Sequence, residues 1–438
     1  MKYYLAIDIG ERAVRHVIGY EKDGKIVTDE VHSFENTLAF DDGLFSFSID
    51  ALYEEIIIGI SEAFSKYPEI ESIAFNAHGT DYVLMSDSEE ILPAYVYRDE
   101  DVCEIAPEVH ELVSPKTVYE HTGIPFTTKN TLYKLYCDKV SLRLEDATDF
   151  LTLPEYLAFK LTGVKLKEYT SSVTTGLVNM DTFRYDRKIW SLLGLPISLD
   201  AKISMPGATV GKLKGDVAKR VGGDTCVILV ASRSTASAID GVEMEGDTPY
   251  ILAGTDSVIG IKTPSPIIDE KSFDSRFSNE ACVDYNAYQK TVTGAWIIGK
   301  LREEICPDFS DYDVVSAAKG SGYFEIFDVE GEKIRFGESV KAKIDDQMAK
   351  NGKQPPVTVG DYLKCAYASM AHCYGVSIAE LEHNTGKAFG KIYVIENGSG
   401  DSYLKSLTEK YTGKRVITLE TDAVVLGNIK AQMKRKGN

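Results

Sequence analysis

The 438-residue sequence has no paired cysteines. Cys103, Cys137, Cys226, Cys282, Cys306, Cys365 and Cys373 stand singly, with no Cys-x-x-Cys spacing, which argues against a zinc site or a disulfide scaffold and points to a reducing compartment. Positive charge is scarce: 48 Lys and Arg face 67 Asp and Glu, a formal net charge of −19, so nucleic acid and anionic membrane surfaces are disfavoured as partners. No apolar run approaches membrane-spanning length, and Met1-Lys-Tyr-Tyr-Leu-Ala-Ile-Asp8 runs straight into a strand with no signal segment. A soluble, cytoplasmic protein is expected. There is no visible repeat or low-complexity tract, and no spare segment for a helix-turn-helix. What remains is globular: 44% hydrophobic residues over this length suggest two or three domains with full-sized cores.

Tyr3–Asp8, Val14–Tyr20 and Lys25–Ser33 read as successive strands, joined by Gly10 and by Lys22-Asp23-Gly24. Ile49–Phe64 has helical spacing of Leu52, Ile56, Ile57, Ile60 and Phe64. Strands Glu71–Ala77 and Tyr82–Met85 follow across the Gly79-Thr80-Asp81 link. Thr131–Leu142 and Pro154–Leu161 read as helices, and the hydroxyl-rich Tyr169–Thr175 as a polar loop. Beyond a glycine and acidic cluster at residues 241–246, Thr293–Ile305 and Thr358–Glu382 are predicted helices, then Lys391–Ile395, Tyr403–Tyr411 and Val416–Leu419 alternate strand, helix, strand.

Two central segments carry the chemistry. Val227–Val230 is a short apolar strand that breaks into Ala231-Ser-Arg-Ser-Thr-Ala-Ser-Ala238, the pattern of an exposed turn and a helix start. A helix start presents unpaired backbone N–H groups to an anion. Tyr250–Ile259 is a second apolar run, interrupted by Gly254-Thr255, where a missing side chain and a hydroxyl let backbone approach a phosphate. Taken alone, each also fits an ordinary turn or helix cap.

Together these segments resemble the centre of the FGGY carbohydrate kinases, and most of all their L-rhamnulokinase-like members, in which the two strands end in His-Asp-Thr-Ala-Ser-Ala and Ser-Gly-Thr-Trp-Ser. The resemblance extends over nearly the whole chain through Asp8 with Gly10, His32–Asn36, Tyr97-Arg98-Asp99, Thr122-Gly-Ile124, Asn130–Tyr133, Leu161-Thr-Gly163 and Leu426-Gly-Asn-Ile429. It implies an α/β fold of two ribonuclease-H-like domains around a central cleft, residues 1–242 bearing the sugar and the base and residues 243–438 bearing the nucleotide. It also implies ATP-dependent phosphoryl transfer to a hydroxyl of a ketose such as L-rhamnulose, with ATP and magnesium as cofactors and a sugar or sugar derivative, plus a second copy of the chain, as partners.

By the same resemblance Asp8 holds the metal, and Gly10, Arg15, Gly254, Thr255 and Gly398 lie at the nucleotide. Gly79, Asp81, Arg98, Arg233 and Thr235 lie at the sugar. The family's catalytic Asp is Ser234 here, and a hydroxyl is a poor base at neutral pH. Arg233 replaces the family's His and introduces a forked cation that favours a more acidic ligand. Asp256 stands where the family has Trp, a new carboxylate available as a displaced base or metal ligand. Glu11 places negative charge where polyphosphate would sit, at a cost on the order of a few kcal/mol unless Arg12 neutralises it. The nucleotide side departs at Thr291, Gly299 and Glu396-Asn397-Gly398. Two functions therefore stand side by side: a sugar kinase with impaired turnover, and a catalytically silent sugar- or metabolite-binding relative.

Overall fold

The computed structural model describes residues 1–41, 43–96, 98–331, 338–396 and 401–434. The first three strands run Tyr3–Ile9, Ala13–Lys22 and Lys25–Glu35. They pair antiparallel in hairpins, with Asp8 opposite Arg15. Tyr3–Ile9 pairs in parallel with Ile70–Ala77, which pairs in parallel with Cys226–Ile228. The full order is Thr209–Lys212, Cys226–Ile228, Ile70–Ala77, Tyr3–Ile9, Ala13–Lys22, Lys25–Glu35.

Alternation buries both faces of this sheet. Leu5, Ile7, Ile9, Ile73 and Phe75 pack against helix Ile49–Lys66 through Ile56, Ile57 and Ile60. On the opposite face Ala6 and Val17 meet Val425 and Ile429 of helix Ala423–Lys434. Each buried aliphatic side chain contributes about 1.5–3 kcal/mol.

The chain separates into two compact units: Met1–Glu243 with Thr263–Tyr288 and Asp422–Asn438, and Met244–Lys262 with Gln289–Thr421. The first crossing falls beside the 242/243 division read from the sequence. The chain then returns twice to the first unit, in segments the linear division gave to the second domain. The second six-stranded sheet orders Ser278–Ala281, Asn286–Thr293, Asp256–Thr263, Tyr250–Leu252, Lys391–Glu396, Arg415–Glu420. Tyr250–Leu252 is antiparallel to Asp256–Thr263 and parallel to Lys391–Glu396, which is parallel to Arg415–Glu420. With the outermost strands Thr209–Lys212 and Ser278–Ala281 left aside, the remaining five strands of each sheet read fifth, fourth, first, second, third in chain order, the second sheet taken from its Arg415–Glu420 end. The same topology occurs twice without a readable sequence repeat.

Two local expectations need correction. Tyr169–Thr174 is a buried helix and not a polar loop: the Glu168 carboxylate caps the N–H groups of Thr170 and Ser171 and makes burial of so many hydroxyls tolerable. Thr293 ends a strand, and the following helix begins only at Trp296. Gly294 forms the break, because a Cβ there would lie 2.5 Å from the carbonyl oxygens of Gly254 and Thr255. Among the described residues no helix is long and apolar enough to cross a membrane.

Candidate active site

The carboxyl end of Tyr3–Ile9 brings Asp8 to the edge of the first unit's core, only 8% exposed. Across the hairpin Arg15 donates from Nη2 to Asp8 Oδ2 at 2.7 Å and from Nη1 to Asp422 Oδ2 at 2.6 Å. Asp422 immediately precedes helix Ala423–Lys434. Burial raises the Asp8 carboxyl above its ordinary range, against the pull of Arg15. Burial opposes the charge on Arg15, but Asp422 and Asp8 outweigh it and raise its proton affinity. The turn after Asp8 is tight: Gly10 N–H donates to Ala13 O at 2.9 Å, and Asn36 Nδ2 donates to Gly10 O at 2.8 Å. Glu11 and Arg12 are exposed at its tip.

The second cluster lies where strand Cys226–Ile228 runs out into the turn before helix Ser234–Gly241. Ala77 N–H donates to Ser232 O at 2.9 Å, which ties the turn to the end of the neighbouring strand. Arg233 Nη1 donates to Gly79 O at 2.9 Å. Gly79 has φ of +89°, a backbone state that an L side chain resists, and it aims that carbonyl. Asp81 accepts from Lys134 Nζ, while Thr131 Oγ1 donates to Thr80 O at 3.0 Å, so helix Thr131–Val140 pins the Gly79–Asp81 link from the other side. Arg233 Nε, Ser234 Oγ and Thr235 Oγ1 are buried atoms with no hydrogen-bond partner among the described residues. Arg98 is engaged within the fold, by Asp101 at 2.9 Å and Asp138 at 2.7 Å.

The two clusters are fastened through their helices. A Cβ on Gly427 would lie 1.9 Å from Ser237 O, and one on Gly241 equally close to Ala423 O. Ser237 Oγ donates to Val424 O at 2.8 Å. Only glycine permits helices Ser234–Gly241 and Ala423–Lys434 to approach so closely, and the contact fixes the Ser234 turn relative to Asp422.

In the second unit, Gly254 and Thr255 form the hairpin turn corresponding to Gly10–Arg12 in the first. Ala295 N–H donates to Gly254 O at 2.9 Å and Trp296 N–H to Thr255 O at 3.2 Å, so the turn rests on a helix start. Asp256 opens the next strand, half-buried, and Thr291 and Gly299 are exposed. Glu396 ends its strand half-buried; burial, with Asp401 and Glu420 nearby, raises its carboxyl. Asn397 and Gly398 lie outside the described residues.

Three participants escaped the sequence reading. Asp422 and Lys134 partner expected site residues but sit far from them in the chain. Glu168, buried behind the Ser234 turn, had a signal: an acidic residue immediately before a hydroxyl run fits a helix cap.

Residues 3–239 match the model of the FGGY family of carbohydrate kinases, N-terminal domain. The rhamnulokinase of Oceanobacillus iheyensis is 33% identical over 98% of this chain and 92% of its own length, and that of Halalkalibacterium halodurans is 33% identical over 99% and 93%. Among solved structures, gluconate kinase from Lactobacillus acidophilus aligns with a TM-score of 0.83 at 18% identity, and the ligand-bound xylulose kinase from the same organism with 0.82 at 19%; each alignment covers 99% of this chain and 89% of the other. At those identities the likeness is one of fold, and it is the fold of two ribonuclease-H-like domains. The family match spans more than half of the sequence and the curated relatives nearly all of it: the chain belongs to the FGGY family of carbohydrate kinases.

Proposed function

We propose that this protein is an ATP-dependent sugar kinase that transfers a phosphoryl group to a hydroxyl of a ketose such as L-rhamnulose, at a rate limited by the lack of a carboxylate at Ser234. The observation that carries the reading is the Asp8–Arg15–Asp422 set, a buried carboxylate held by a doubly anchored guanidinium beside a glycine turn. Phosphoryl transfer depends mainly on positioning and on neutralising charge. Asp8 fits a magnesium ion, which takes one or two carboxylates and keeps most of its waters. Magnesium, when bound, neutralises charge on the phosphoryl oxygens. Arg15 and Asp422 keep the Asp8 carboxylate in one orientation.

On the sugar side, the Gly79–Asp81 link and Arg233 orient the ketose. The Ser234 hydroxyl cannot take its proton as a carboxylate would, a loss of typically ~10²–10⁴-fold. Gly254 and Thr255 are assigned to the nucleotide. Glu11 and the raised Glu396 carboxyl set negative charge or desolvated acid against it, so Mg-ATP affinity is expected to be weak. Asp256, in the second unit, is the alternative base.

A second reading, ligand binding without turnover, is favoured by one specific observation: the Ser234 and Thr235 hydroxyls are shut away from solvent. An assay of ADP release with L-rhamnulose and other ketoses decides between them. Slow ketose-dependent release that is abolished in Asp8→Asn supports the kinase. Ketose binding with no release above the Asp8→Asn background supports the silent binder.

A further inference from the structure

Glu168 ends the two-residue strand Lys167–Glu168 and is wholly buried. Its Oε1 accepts the Thr170 N–H at 2.8 Å; Oε2 accepts Thr170 Oγ1 at 2.6 Å, the Ser171 N–H at 3.0 Å and the Ser232 N–H at 3.3 Å. Three of these donors start helix Tyr169–Thr174. The fourth belongs to the turn that leads into Ser234. Thr170 Oγ1, its proton committed to Glu168, accepts the Arg233 N–H at 3.3 Å. The carboxylate thus reaches both residues preceding Ser234, one directly and one through a hydroxyl, from elements 64 and 63 positions away.

We propose that Glu168 is a positioning residue for the sugar side, whose carboxylate sets the Ser232–Arg233 backbone and through it the Arg233 guanidinium and the Ser234 turn. Its consequence for ketose binding rests on the sugar-kinase reading. Four donors converge on this group, an arrangement that suits the anion; a proton would set an O–H against them. Burial nevertheless pushes the carboxyl up to about 7, against the pull of Thr170 and Ser171. The charged and titratable groups around it are Glu155, which accepts the Glu168 N–H from the preceding helix, Lys167 with its partner Asp149, Tyr169, Arg233 from the turn, and, at the far end of helix Tyr169–Thr174, Glu280, which accepts from Thr174 Oγ1 at 2.7 Å. Strand Ile203–Ser204 beside it brings none.

Glu168→Gln, Glu168→Asp and Thr170→Val test the role through backbone hydrogen exchange, ketose affinity and its pH profile. In Glu168→Gln and Thr170→Val, exchange at Ser232 and Arg233 is expected to quicken by about tenfold, the scale of one hydrogen bond to a charged group, with Cys226–Ile228 unchanged. L-Rhamnulose affinity should fall by a similar factor while Mg-ATP affinity holds. Wild-type affinity should decline as pH falls through about 7; the Gln variant should be flat and Glu168→Asp should keep the decline. Unchanged exchange at Ser232 and Arg233 overturns the proposal, as does acceleration across the whole first unit, which is the mark of a merely structural group. If exchange changes locally but no ketose binds even to wild type, the kinase reading fails and the positioning role stands.

Discussion

The two halves of the first unit's site are built on opposite terms. At the strand tip, Asp8, Arg15 and Asp422 satisfy one another within 2.7 Å. At the Ser234 turn, the backbone is held firmly by Ala77, Glu168 and Thr170, yet its side chains include three buried polar atoms without partners among the described residues. Unpaired buried polar groups cost stability, whereas a complete ion-pair set returns much of its desolvation penalty. The contrast teaches that one half closes on itself through charge, while the other is a firmly held backbone turn whose side-chain polar atoms are left for something else to satisfy.

The contact that joins the halves should be the most fragile. Gly427→Ala places a methyl 1.9 Å from Ser237 O, so it is expected to cost about 4 kcal/mol or more and to leave little folded protein. Chemical denaturation showing a loss under ~1 kcal/mol would break the comparison at its base. Next, Arg15→Gln strips both carboxylates of their cation and should cost about 3 kcal/mol, with Arg15→Lys recovering only part because a point charge cannot span both partners.

His16, the neighbour of Arg15 on the opposite sheet face, is wholly buried against Gly59, and neither ring nitrogen has a partner among the described residues. Burial, with His32 alongside, pushes it down to about 3. The folded state therefore refuses a proton that the unfolded chain accepts below about 6.5, and stability is lost as pH falls from there toward 3. Glu168 works in the reverse sense, since its raised carboxyl favours the folded state as pH falls below about 7. The difference between proteins isolates His16: His16→Phe should lose about 2 kcal/mol less than wild type between pH 7 and 5. Equal losses would show that His16 titrates normally. The smallest effect belongs to the turn. Ser234→Ala should raise stability by about 1 kcal/mol, because it removes a buried hydroxyl that has no partner among the described residues; a loss in thermal unfolding would mean that the hydroxyl has a partner.

The fold was legible wherever one period governed an element. The strand Tyr3–Asp8, and the helical spacing of Leu52, Ile56, Ile57, Ile60 and Phe64, announced elements of the first unit's core. The motif order added the family. What stayed hidden depends on distance in the chain: no local pattern tells Arg15 that Asp422, 407 residues on, will bind it, or Asp81 that Lys134 will. Tyr169–Thr174 was misread because its hydroxyls look solvent-facing until Glu168 supplies the cap. Gly427 shows why a helical glycine needs its neighbour before it can be interpreted.

The central claim is that the Asp8–Arg15–Asp422 set is complete while the Ser234 turn lacks its base. Ser234→Asp combined with Arg233→His, assayed for ATP-dependent phosphorylation of L-rhamnulose, tests it most directly. The account predicts a rise of ~10²–10⁴-fold over wild type, abolished again by Asp8→Asn. Wild-type activity already equal to that of the double variant, and unaffected by Asp256→Asn, would contradict it.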